Sequence, residues 1–137
     1  MTHILRDAYL ATDFVFNADG EQHTLRIGEI NTGVHDLFVR HGVQAAAFIT
    51  ACNPASVKLT TAANQLAMQA LKNESAVAQC RVFAGMGQAR DGIWEPEASL
   101  MVMGIPREQA EALGRRFGQN AIVWVEQSGM PSLVELT

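Results

Sequence analysis

Apolar positions along the chain repeat with two periods, and the switches between them mark out its elements. A near-continuous apolar run, Val43 to Thr50, lies between Gly42 and Asn53-Pro54. Only a strand covered on both faces tolerates such a run, so a buried strand ending in a polar corner is predicted. Phe14-Val15-Phe16 and Gln22 to Ile27 predict two strands joined over Asn17-Ala18-Asp19-Gly20, because Asp-Gly accepts the positive φ of a tight hairpin. Ala76 to Phe83 and Ser99 to Ile105 predict an antiparallel pair, with Gly85 to Gly92 as a wide, mobile connection. Ala121 to Val125 and Ser132 to Leu136 predict a last hairpin across Ser128-Gly129.

Helical spacing appears between these runs. Ile4, Leu5, Ala8 and Leu10 predict a short helix over 3–11, and Val34, Leu37 and Phe38 predict another that Gly42 stops. The longest helical pattern, 60–73, carries Ala63, Leu66, Ala67, Ala70 and Leu71 on one stripe, with Thr60 or Thr61 as N-cap. Pro106 opens a further helix over 107–117 that Gly118 ends. The sum is an α+β fold: one compact domain over 1–137, a mixed or largely antiparallel sheet covered by about three main helices.

Composition narrows the function classes. The 137 residues are 48% hydrophobic and 18% charged, an ordinary globular balance, and the formal net charge is −4. Without clustered Lys and Arg, no nucleic-acid or anionic-membrane surface is expected. No run approaches the roughly 20 apolar residues of a membrane span. The N-terminal residues lack the pattern of a secretory signal, and a cytoplasmic location is the expectation. Two cysteines, Cys52 and Cys80, are read as reduced thiols.

Candidate chemistry is sparse. Gly85-Met86-Gly87 suggests a dinucleotide fingerprint, but Arg90 occupies the third glycine position and no helix follows to hold a pyrophosphate. Cys52, with His35 or His41 as base and Asp36 as orienter, is weighed as a nucleophile; a small apolar side chain at a strand end is the preferred reading. The four histidines lack the spacing of a zinc site, so no metal is expected, and no cofactor follows from any motif. Glu95 and Glu97 flank Pro96 beside Trp94, and shielding there would raise a carboxyl pKa toward that of a general acid or base. Gln119 and Asn120 at a helix exit either satisfy helix carbonyls or offer donors to a ligand.

Four blocks carry a likeness: 48–54, Asn64, Trp94 to Leu100, and Arg116 to Ile122. Together they resemble the small bacterial proteins grouped as domain of unknown function family 3293, over nearly the whole chain. The resemblance implies no activity, ligand or catalytic residue. It does weight Thr50, Asn53, Pro54, Asn64, Glu95, Phe117 and Gln119, and family members often show Trp at the position of Cys52, which counts against a catalytic thiol.

Two functions follow as expectations. In the first, Thr50, Asn53, Asn64 and Gln119 converge on a cleft and bind a small polar molecule, with Glu95 or Glu97 as acid or base. In the second, the same residues cap and orient a non-enzymatic module that self-associates or binds a protein through Met68, Met86, Met101, Met103 and Met130.

Overall fold

A computed structural model describes residues 1–137. Seven strands form one sheet: β1 (Thr12–Ala18), β2 (Glu21–Leu25), β3 (Ala45–Ile49), β4 (Arg81–Ala89), β5 (Glu97–Met103), β6 (Ala121–Glu126) and β7 (Pro131–Glu135). Their order is β2-β1-β4-β5-β3-β6-β7, and every neighbouring pair is antiparallel. Five helices accompany it: α1 (His3–Leu10), α2 (Thr32–His41), α3 (Thr61–Asn73), α4 (Ser75–Ala78) and α5 (Arg107–Arg116). The expectation of about three is therefore low by two. None is long and apolar enough to cross a membrane.

Two-residue alternation sorts the core onto the two faces of the sheet. Ala46 and Phe48 of β3 join Phe14, Phe16, Met101 and Met103 on one face, where α2 inserts Val34, Leu37 and Phe38. Ala47 and Ile49 point the other way, beneath Leu71 of α3, Val77 of α4 and Leu113 of α5. β3 is thus buried on both sides, which is why its sequence shows no alternation. The sheet also curls: after β2, Gly28 N–H donates to Pro131 O at 3.0 Å and Asn31 N–H to Gly129 O at 2.9 Å. These bonds tie the segment after one edge strand to β7 and its turn, and α2 fills the concave face.

Local signals account for most boundaries. Asp19 and Gly20 take φ of 54° and 81°, the tight hairpin geometry. Asn31 Oδ1 accepts from Val34 N–H and Thr60 Oγ1 from Ala63 N–H, capping α2 and α3.

Three expectations need correction. Residues 76–78 are helix, not strand: α4 is four residues long, too short for helical periodicity to show, and its Val77 is driven into the convex-face core. Gly85 to Ala89 are not a mobile connection but the second half of β4, paired with β1 throughout and with β5 as far as Gly87. A Cβ at Gly85 would lie 2.7 Å from the Phe48 ring and 2.8 Å from the Val15 carbonyl oxygen, so the glycine lets an aromatic ring lie directly on the sheet. In α1 the inward side chains are Leu5, Ala8 and Tyr9, whereas Ile4 is 83% exposed.

One buried group adds a pH dependence. His23 of β2 stacks on Phe16, with ring centroids 5.1 Å apart, and its Nε2 has no hydrogen-bond partner. Burial holds its pKa below the ordinary value, so the folded chain keeps it neutral. The unfolded chain takes up that proton near pH 6.5, hence this contribution to stability is present above about pH 6.5 and is lost as pH falls toward the depressed folded value. Urea titrations of wild type and His23→Phe between pH 7 and 5 are expected to show a smaller loss in the variant. Equal slopes would contradict the assignment.

Candidate functional site

The antiparallel sheet brings the start of β1, the end of β4, the start of β5, the end of β3 and the start of β6 to one end. There the chain leaves β3 through a strained corner. Asn53, Ala55 and Ser56 all have left-handed backbones, with φ of 47°, 54° and 61°. For Ala and Ser such values cost on the order of 1–2 kcal/mol each, so surrounding bonds must hold the corner. Ala55 N–H donates to Gly118 O at 2.7 Å and Ser56 N–H to Asn53 O at 2.9 Å. Gly118 itself, at φ 70°, lies so close to Pro54 that a Cβ there would be 2.9 Å from the proline Cβ.

Asn53 is the hub of this corner. Its backbone N–H donates to Asn64 Oδ1 at 2.9 Å, and its Oδ1 accepts from Leu59 N–H at 2.8 Å and from Asn64 Nδ2 at 2.9 Å. Its Nδ2 donates to Glu97 Oε2 at 2.6 Å. Because Oδ1 already accepts two N–H groups, the amide nitrogen must face the carboxylate. Glu97 is half-buried and has no cationic partner; desolvation pushes its carboxyl pKa up, opposed by the bond from Asn53. Tyr9 of α1 lies nearby: burial, and to a lesser degree the Glu97 charge, push its hydroxyl up to about 12.

Gln119 is buried, at 6% exposure, and its Nε2 donates to Cys52 O at 3.0 Å and to Phe117 O at 3.3 Å. Two carbonyl acceptors fix the orientation of the amide, leaving Oε1 without a partner in the chain. Thr50 Oγ1 donates to Ala98 O at 2.7 Å and accepts from Cys52 N–H at 3.0 Å.

Thr50, Asn53, Glu97 and Gln119 line one cavity of about 100 Å³, closed by α1 and walled by Phe14 and Phe48. On the measure by which a water needs about 10–15 Å³, that is room for on the order of seven water-sized groups. Asn64 lines instead a wider groove of about 510 Å³ against α3, which Asn53 and Glu97 also border. Asn53 and Glu97, with Glu95 at the rim, border both spaces.

The remaining candidates separate from this set. Glu95 lies on the rim with its side chain 78% exposed, paired with Lys58 at 3.2 Å. A carboxylate so exposed and already paired in water is a weak candidate for acid–base work. Cys52 is buried, its thiol 3.5 Å from Ala98 O, and burial pushes its pKa up, away from the thiolate a nucleophile needs. Only a single 3-10 turn, Pro54–Ser56, follows it in place of a helix. His35 and His41 bond Gln127 O and Asp19 elsewhere. No group of three or more His, Cys, Asp or Glu side chains converges.

Sequence reasoning missed Tyr9 and Ser99, which line the same cavity. Tyr9 is the chain's single tyrosine, and Ser99 interrupts the apolar run of β5 at a buried position. Ser99 was readable as a polar residue out of place. Of the five methionines expected at a contact surface, only Met86 is exposed, while Met101 and Met103 are in the core.

No curated protein and no solved structure matches the chain. Residues 49–122, which run from the end of β3 through the corner, Glu97 and Gln119 to the start of β6, match the family described as "Protein of unknown function (DUF3293)". That match covers more than half of the chain and contains the whole corner, and the chain belongs to this family.

Proposed function

We propose that the end of the sheet binds a small polar molecule in the cavity beneath α1, with Glu97 as the group that exchanges a proton with it. The observation that carries this reading is a half-buried carboxylate with no cation, oriented by Asn53 at 2.6 Å on the wall of a cavity. Such a group costs stability unless something is gained from it, and partly buried carboxylates with raised pKa are the ones suited to acid–base work. The left-handed corner is further support, since strained backbone that its surroundings over-determine clusters at ligand sites.

A thermal-shift screen of amino acids, sugars, nucleotides and small acids and amines tests the reading, because a ligand bound only by the folded state raises the melting temperature. Ala8 lines the cavity, so Ala8→Leu fills it from α1. At least one compound class is expected to stabilise the wild type and to lose its effect in Ala8→Leu. No stabilising compound, or equal shifts in both proteins, would leave the corner as a capping device of a non-enzymatic module.

A further inference from the structure

The cavity's ionisable lining is one-sided. Glu95 and Glu97 border it together with the Tyr9 hydroxyl, and no Lys, Arg or His does. Lys58 is held by Glu95 on the groove side at 3.2 Å. The hydrogen-bonding inventory points the same way. Thr50 and Ser99 spend their hydroxyl protons on the carbonyls of Ala98 and Glu97, and Asn53 and Gln119 spend their amide protons on Glu97, Cys52 and Phe117. The charged acceptor is the carboxylate of Glu97, and the fully unpartnered one is the Oε1 of Gln119, a residue 6% exposed. The donors left over, the Tyr9 and Ser56 hydroxyls and one Asn53 amide proton, are neutral, and both hydroxyls can also accept. The walls are aromatic, from Tyr9, Phe14, Phe48 and Trp94, and aromatic faces attract cations.

We propose that the molecule bound here is a small organic cation, a primary amine whose ammonium group donates to the Glu97 carboxylate and to Gln119 Oε1 while its carbon skeleton lies against the aromatic walls. The inference rests on the reading of the cavity as a ligand site and adds the chemical class. An ammonium offers three donors and no acceptor, the complement of an acceptor-rich cavity. A carboxylate ligand would meet Glu97 as a like charge, and a neutral amide would leave the charge uncompensated. The volume of about 100 Å³ limits the buried part to a handful of heavy atoms.

Three probes of nearly equal size separate the classes: n-propylammonium, propionamide and propionate, titrated into the full chain at neutral pH and followed by amide chemical shifts. Propylammonium is expected to bind about tenfold or more tightly than propionamide, as a charge-assisted hydrogen bond contributes relative to a neutral one. Propionate is expected not to bind. Glu97→Gln keeps an oxygen for Asn53 and removes the charge, so it should fold and bring the amine and the amide to similar affinity. Perturbed resonances should include Gln119 and Ser99. Preference for propionate or propionamide in the wild type would overturn the cation assignment while leaving a ligand site in place. An amine preference that persists in Glu97→Gln would overturn it as well. No binding by any probe, together with no response to filling the cavity by Ala8→Leu, would remove both the class and the site.

Discussion

Asn53→Ala is expected to destabilise the chain by about 3–4 kcal/mol, which for a chain of this size lowers the melting temperature by about 10 °C. Three side-chain bonds disappear, to Leu59 N–H, Asn64 Nδ2 and Glu97 Oε2. Each is worth about 1 kcal/mol net, and partners left unsatisfied cost more. Alanine must also adopt φ near 47°, which asparagine tolerates at about 1 kcal/mol less. Asn53→Asp separates backbone from charge. It keeps the tolerated backbone and both acceptor bonds but sets a second carboxylate against Glu97, where an N–H now stands at 2.6 Å. Two like charges that close share a proton, and the pair binds it in the folded state more tightly than in the unfolded state. Stability of Asn53→Asp is therefore full in acid and falls as pH rises past the ordinary carboxyl range, more steeply than for the wild type, in which Glu97 acts in the same sense. Denaturant titrations at pH 4.5 and 7.5 check both. An alanine variant within about 1 kcal/mol of wild type would show that Asn53 does not hold the corner.

The parts of this arrangement that sequence could reach are those written in neighbouring residues. The β3 strand was legible because burial on both faces removes alternation, and Asp19-Gly20, Asn31 and Thr60 because turns and caps use residue types suited to their local bonds. Thr50, Asn53, Glu97 and Gln119 were legible as polar groups placed at the ends of apolar elements. What escaped depends on partners distant in sequence. Gly85 reads as part of a flexible connection because its reason, the Phe48 ring and the Val15 carbonyl of β1, is supplied by other strands. Glu95 and Glu97 are two residues apart and chemically alike, yet the start of β5 turns one into the cavity wall and leaves the other paired with Lys58 in water. Tyr9 enters only because α1 docks over the sheet end, a tertiary event with no local signature.

The curl of the sheet also depends on such a distant contact, and Gly129→Ala tests it. At φ 85° an L-residue is strained, and a Cβ there would land on the Asn31 carbonyl oxygen and lie 3.3 Å from the His35 nitrogen. Backbone atoms cannot rotate aside as a side chain can, so Asn31 must move. Asn31 also accepts from Val34 N–H to cap α2, donates to Thr24 O at 2.9 Å, and closes the curl through Gly129 O. Strain of about 1–2 kcal/mol and overpacking of about 1–3 kcal/mol give an expected loss of about 3–4 kcal/mol in urea unfolding. Gly20→Ala is the control: its φ is 81°, but nothing lies within 4 Å of the added Cβ, so the backbone strain of about 1 kcal/mol stands alone. A difference of about 2 kcal/mol between the two variants measures the closing contact itself. Because α2 packs its Phe38 and Val34 into the same cluster as Phe14 and Phe48, the walls of the cavity, loosening Asn31 should also weaken ligand binding in Gly129→Ala but not in Gly20→Ala. Equal stabilities for the two variants would mean that the sheet end holds its shape without the curl.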